Sequence, residues 1–155
     1  MSDPLNAHSH DNNTILPDYD CIISLLLPDQ TRVLINLERL ATSYPQSVIA
    51  NYRYTTDHGP HGPYRLGGVA LSDLIRVECP KHLLWSQAEV VSADGYGNRI
   101  LAHELNETAA DPILLCTHSN DQPVTLKQGL IRLVVPSETD NALRQIKWVQ
   151  TIRLV

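Results

Sequence analysis

The stretch Val90-Val91-Ser92-Ala93-Asp94-Gly95-Tyr96 decides how the middle of this chain folds. Glu89 to Ser92 predicts a strand, and Asp-Gly is a dipeptide that tight hairpin turns prefer. Asn98 to Leu101 then predicts the returning strand. We therefore expect a β-hairpin here, in which Asp94 serves the turn rather than chemistry.

Short strands and helices are predicted on both sides of this hairpin. The expected strands are Cys21 to Leu27, Val33 to Ile35, Val48 to Tyr54, Ile113 to Thr117, Leu130 to Val135 and Lys147 to Val155. Two short helices are expected at Leu37 to Thr42, capped by Asn36, and at Ala70 to Val77. The Gly-, Pro- and His-rich residues Thr55 to Gly68 predict a loop. Many short strands with few helices indicate an α+β domain built on a mixed β-sheet.

Length and composition indicate one globular domain of 155 residues. The polar residues 1–14 predict a flexible tail, and residues 15–155 predict the folded domain. A net charge of -5 argues against a nucleic-acid partner, and no apolar run is long enough to cross a membrane. Three widely spaced cysteines without a CxxC motif favour a reducing, cytoplasmic location.

Five short segments follow one another along the chain: Gly68 to Leu74, Ser92 to Tyr96, Leu114 to Pro123, Arg132 to Pro136 and Lys147-Trp148. In this order they resemble the molybdopterin-binding domain of the sulfite oxidase family. The resemblance covers nearly all of Ile15 to Val155. It implies a mixed sheet with short helices and a pocket for a molybdopterin cofactor.

The resemblance also implies a molybdenum-ligating cysteine, at a position that falls close to Tyr54. No cysteine lies between Cys21 and Cys79, and Cys116 corresponds to a small residue of the family. A soft thiolate suits a thiophilic metal, whereas a phenol, with an ordinary pKa of roughly 10, would need strong activation. We therefore expect a divergent member without sulfite oxidase chemistry.

Four residues are predicted to bind an anionic cofactor, whose identity the sequence leaves open. Arg144 and Lys147 precede the terminal tryptophan, where the family holds its pterin phosphate with basic side chains. Arg65 and His118 border the same pocket in a family-like fold. The alternative is that these are solvated charges, since the acidic loop Ser137 to Leu143 would repel an anion.

The segment Asp57-His58-Gly59-Pro60-His61-Gly62 holds the most reactive-looking side chains. His58 and His61 exchange protons near neutral pH and are predicted to be catalytic, with Tyr54 and Arg53 beside them. A catalytic metal site needs about three protein ligands, and no third ligand is visible, so no metal is predicted. Solvated loop histidines are the alternative.

Three functions follow from these patterns. The first is a divergent molybdopterin-fold protein whose pocket holds a small molecule or anionic cofactor. The second is a molybdenum-independent lyase, cyclase or isomerase that uses His, Tyr and Arg groups in the vacated pocket. The third is a non-catalytic interaction module. Whether the protein is an enzyme is therefore left open at this stage.

Overall fold

A computed structural model of the protein describes residues 16–106, 111–138 and 145–155 and contains two β-sheets and three short helices. The strands are β1 (Ile23–Leu26), β2 (Arg32–Ile35), β3 (Ser47–Thr56), β4 (Gly59–Ala70), β5 (Gln87–Ser92), β6 (Gly97–Leu101), β7 (Leu114–Ser119), β8 (Gln122–Pro123), β9 (Arg132–Val134) and β10 (Val149–Leu154). The helices are α1 (Leu37–Thr42), α2 (Leu71–Glu78) and α3 (Ala102–Asn106).

The first sheet has the strand order β2-β1-β10-β5-β6. Its central pair, β1 and β10, is parallel, with Leu25 opposite Ile152, and the other neighbours are antiparallel. The predicted hairpin is confirmed as β5 and β6. Its turn is held by Asp94, whose carboxylate accepts hydrogen bonds from the Ser92 hydroxyl and the Tyr96 amide.

The second sheet has the order β3-β4-β7-β8, and β9 also pairs with β7. All of its pairings are antiparallel. Leu130 to Val135 was expected to be a strand, and β9 forms a shorter strand within that range. It pairs with β7 on one side, and Leu133 forms a bridge with Ile146 on the other. The α+β class predicted from the sequence is confirmed.

The main core lies between the two sheets and is closed by the helices. Leu25, Val90 and Ile152 enter it from the first sheet, and Leu115 and Leu133 enter it from the second. Helix α2 adds the buried residues Leu71, Leu74 and Ile75, which share one face at helical spacing. A sheet or helix with one apolar face must bury that face against another element. Here the two sheets and the helices bury their apolar faces against one another.

The second sheet is also buried on its opposite face, where a smaller second core forms. Its members are Ile49, Tyr52, Tyr54, Leu66, Leu114, Cys116, Val124 and Val134. The neighbours Leu114 and Leu115 enter different cores because successive side chains of a strand point to opposite faces. The second core is richer in tyrosine than the main core, and it contains the candidate site described below.

Helices α1 and α2 are joined through one carboxylate. The Glu78 carboxylate accepts a hydrogen bond from the Tyr44 hydroxyl and lies 2.6 Å from Nη2 of Arg39. Helix α1 begins as predicted, with Asn36 accepting a hydrogen bond of 2.8 Å from the Arg39 amide. In the first turn of α2, the Asp73 carboxylate pairs with Arg76.

The prediction of a loop from Thr55 to Gly68 is wrong, because this segment forms the long hairpin of β3 and β4. Gly59, with a φ of +100°, allows the turn. Cross-strand aromatic pairs stabilise the strands, with Tyr52 opposite Tyr64 and Tyr54 opposite His61. The hairpin tolerates its prolines because β4 pairs with β7 only from Leu66 onward.

Gly68 provides a test of the second sheet. A Cβ atom there would fall onto the Leu115 carbonyl oxygen of β7, whereas one on Gly67 would lie 3.6 Å from Cβ of His118, an ordinary contact. We expect Gly68→Ala to lower the free energy of unfolding by about 3 kcal/mol through overpacking. Gly67→Ala should change it by less than about 1 kcal/mol. Urea unfolding of both variants measures the difference, and equal effects would contradict this strand pairing.

Candidate functional site

A row of aromatic rings lines the inner face of the β3–β4 hairpin. The Tyr54 ring stacks on His61 at a centroid distance of 4.7 Å and an interplanar angle of 13°. Tyr52 and Tyr64 lie 5.6 Å and 6.2 Å from Tyr54, also centroid to centroid. His61 and Tyr64 are partly exposed, while Tyr52 and Tyr54 are buried. The row therefore runs from solvent into the second core.

The buried end of the row meets a polar cluster, which consists of Tyr52, Cys116, Arg132 and Gln145. Arg132 lies on β9 opposite Cys116 of β7 and is 0% exposed. Its Nη1 atom donates a hydrogen bond of 3.3 Å to the Gln128 carbonyl. Gln145, which is 2% exposed, donates from Nε2 to the Tyr52 hydroxyl. Four polar side chains thus share one buried volume.

The Oε1 atom of Gln145 is buried without a hydrogen-bond partner among the residues that the structure describes. Leaving a buried acceptor unpaired costs about 1–3 kcal/mol. Native proteins keep such a group when something else satisfies it or when it serves a function. Within the polar cluster, Gln145 therefore gives the strongest indication that a bound molecule donates a hydrogen bond here.

The protonation states of the polar cluster follow from burial. Burial raises the pKa of the Cys116 thiol to about 11, although the Arg132 charge and backbone hydrogen bonds oppose it. Burial also raises the pKa of Tyr52, opposed by the Gln145 hydrogen bond and the Arg132 charge. At neutral pH both groups are protonated. The cluster thus combines a permanent cation with a neutral phenol and thiol.

The residues predicted to be catalytic do not all converge. Tyr54 and His61 lie together, and Nε2 of His61 is 2.9 Å from Oγ1 of Thr56. Arg53 is exposed and precedes Tyr54 in the strand, so it points to the opposite face. His58 is exposed near the hairpin turn, where its backbone amide bonds to Oγ1 of Thr56.

Of the residues predicted to bind a cofactor, Arg65 and His118 lie on the neighbouring strands β4 and β7. Arg65 is exposed and pairs with Asp121 at 3.2 Å. His118 is exposed and lines a separate crevice of about 160 Å³ beside α1. Lys147, only 7% exposed, packs against Gly129 and lies 5.6 Å from the Trp148 ring centroid. Arg144 lies outside the described residues.

The donor atoms at this site do not suit molybdenum. Tyr54, at the position where the resemblance implies a cysteine, is a buried ring stacked on His61. Cys116 is the thiol that shares the second core with Tyr54, and its raised pKa keeps it protonated, with Sγ 3.2 Å from the His118 carbonyl oxygen. A protonated thiol is a poor metal ligand because the thiolate is the coordinating form.

One residue of this site stands out in the sequence, although the sequence did not predict it to be functional. Arg132 is the only charged residue in the apolar run Leu130 to Val135. A charge on a fully buried strand is rare unless it is paired or functional. Gln145 and Tyr52 carried no comparable signal, because their contact joins positions far apart in the chain.

No protein-family model matches this sequence, and no curated protein is significantly similar to it. The resemblance to the sulfite oxidase family therefore stays a prediction. Within residues 16–106, 111–138 and 145–155, no cluster of three or more His, Cys, Asp or Glu side chains is arranged to hold a metal ion. No helix in the same ranges is long and apolar enough to span a bilayer.

Thiol reactivity tests the protonation state of Cys116. Cys21 is partly exposed, whereas Cys79 and Cys116 are buried. We expect native protein at pH 8 to react quickly with a disulfide reagent at Cys21 only. Cys116 should react about a hundredfold more slowly than an unperturbed thiol, because a pKa near 11 leaves little thiolate. Cys21→Ser should remove the fast phase, and rapid labelling of Cys116 would contradict the assignment.

Proposed function

We propose that this protein binds a small organic anion that also carries a hydroxyl group, at the polar cluster of the second core. The observation that supports the proposal most directly is the buried Oε1 atom of Gln145, which has no hydrogen-bond partner among the described residues. An acceptor in that position needs a donor. A ligand hydroxyl or amine would supply it.

Three of the four polar side chains have separate tasks in this proposal. The Arg132 guanidinium attracts and orients the carboxylate or phosphate through its planar donors. The Tyr52 hydroxyl accepts from Gln145 and keeps its own proton, which it donates to the same anion. Gln145 then accepts from the ligand hydroxyl next to the anionic group. A 2-hydroxy acid has this arrangement of one anion and one adjacent donor.

The aromatic row supplies the apolar part of the site. Ligand pockets are mostly apolar with a few polar groups that fix orientation. Tyr54 and Tyr64 provide ring surface between the partly exposed His61 and the buried polar cluster. A ligand that enters beside His61 would therefore pass along aromatic faces before it reaches Arg132.

For the fold, we propose a divergent molybdopterin-binding domain that has lost its metal ligand and is not a sulfite oxidase. Two of the segments that carry the resemblance are in contact, since the Ala93 amide donates to the Trp148 carbonyl at 2.8 Å. A third, Gly68, adjoins Leu115 of a fourth. This proximity supports a common ancestral pocket, while the ion pair of Arg65 with Asp121 argues against retention of the family's cofactor contact at Arg65.

The second candidate function is a cofactor-independent lyase or isomerase. It is favoured by His61, which stands at the open end of the aromatic row with one ring nitrogen held by Thr56. A histidine oriented in this way can act as a general acid or base toward a bound ligand. Tyr54, stacked on the imidazole, fixes the plane of the ring.

A pair of ligands that differ by one hydroxyl tests the proposed binding function. We expect glycolate to bind at least about tenfold more tightly than acetate, because only glycolate satisfies Oε1 of Gln145. Gln145→Leu should abolish this preference and leave acetate binding little changed. Tyr52→Phe should weaken both ligands, since both use the phenol proton. Isothermal titration calorimetry measures the affinities.

Arg99→Met, at an exposed position of β6, is the charge-matched control for Arg132→Met, which should lose both ligands. Far-ultraviolet circular dichroism establishes that each variant is folded. Equal affinity of the wild-type protein for glycolate and acetate would refute the role of Gln145. Unchanged binding in Arg132→Met would refute the site.

The histidines give a separate test of the open end of the row. We expect His61→Ala to weaken glycolate binding by about tenfold, because it removes the ring that covers Tyr54. His58→Ala, His82→Ala and His103→Ala should have little effect, since these three side chains are exposed. Equal effects of all four substitutions on the measured affinity would place the site elsewhere.

A further inference from the structure

A concave site lies between α2 and α3. It is a groove of about 530 Å³, bordered by the end of α2, the segment from Pro80 to Trp85, and α3. Its volume lies within the range of about 300–1,000 Å³ that small-molecule pockets occupy. It uses no residue of the polar cluster or of the aromatic row.

The floor of the groove is apolar and includes an indole. Ile75 comes from the buried face of α2, and Leu105 comes from α3. Leu83 and Trp85 are partly buried and pack against the main core, so each leaves part of its surface in the groove. A partly exposed tryptophan beside three aliphatic side chains suits a flat apolar ligand, because ring stacking adds to area burial.

The charge of the groove is opposite to that of the whole protein. The chain has a net charge of -5, yet two cations, Arg76 and Lys81, line this groove, and no acidic side chain is among its described lining residues. Arg76 is held by Asp73 of the same helix, so its charge is partly neutralised. Lys81 is exposed and follows Pro80, beyond the end of α2 at Glu78. Its ammonium group can meet an anion without a burial cost.

From these features we propose that the groove binds a small aromatic carboxylate. The ring lies against Trp85 and the aliphatic floor, and the carboxylate contacts Lys81 at the rim. Such a ligand has the apolar body and the single negative charge that the groove complements. The site is separate from the proposed hydroxy-acid site, so it would serve as an effector site or as a second substrate site.

The test uses 2-naphthoate and its uncharged analogue 2-naphthylmethanol. We expect the wild-type protein to bind naphthoate with a Kd of about 0.1 mM, which is ordinary for a ligand of this size. The alcohol should bind about tenfold more weakly because it lacks the charge. Lys81→Met, which keeps the aliphatic stem, should weaken naphthoate to the level of the alcohol and leave the alcohol unchanged.

Lys127→Met is the matched control, because Lys127 is an equally exposed lysine outside the groove. It should bind both ligands as the wild-type protein does. Protection of Cys79, which lines the groove, gives a second readout: naphthoate should slow its alkylation in the wild type and not in Lys81→Met. Absence of naphthoate binding at about 1 mM, or equal loss in both lysine variants, would overturn the proposal.

Discussion

Burial of the second sheet on both faces is the constraint on which the rest of this structure depends. One face closes the main core against the first sheet, and the other needs a cover of its own. On that face the sheet's own hairpin contributes Tyr52 and Tyr54, and Val124 and Gln145 join them from the segments that follow β8 and β9. Because the tyrosines and Gln145 carry hydroxyl and amide groups, the second core is polar where the main core is aliphatic. The candidate site is a result of this cover.

The position of Arg132 follows from the same constraint. Residues of β9 alternate between the two faces, so Leu133 enters the main core and Arg132 must face the second. Burial of a guanidinium among aliphatic side chains would cost free energy, because nothing there accepts its hydrogen bonds. The tyrosine-rich face is less unfavourable because it offers polar groups. The strand therefore places its one charge beside Tyr52 and Cys116. Burial of a cation in this way contributes little to stability, which favours a functional reason for retaining it.

The elements that the sequence predicted correctly are those specified by neighbouring residues. The Asp94-Gly95 turn, the Asn36 cap and the apolar face of α2 each depend on residues within a few positions of one another. The hairpin of β3 and β4 was not predicted, because its glycines and prolines are residues typical of loops. What stabilises it are aromatic side chains that pair across the two strands, and this pairing is not visible in a local stretch of sequence. Helix α3, with no buried residue, carried no apolar pattern to detect. The polar cluster brings together residues of β3, β7, β9 and the segment at Gln145. Because these residues are far apart in the sequence, no local sequence pattern predicts that they are in contact.

The parallel pair of β1 and β10 has a consequence for how the molecule assembles. β1 is the first strand of the described chain and β10 is the last, yet they are neighbours at the centre of the first sheet. During synthesis on the ribosome, β1 emerges early and must wait for its partner, and its buried residues Ile23 and Leu25 stay without their final neighbours. Contacts between such distant positions close late and slow folding. The nascent chain is therefore expected to depend on β2 to shield β1, so the segment from β1 to β2 is where an encounter with a chaperone would matter most.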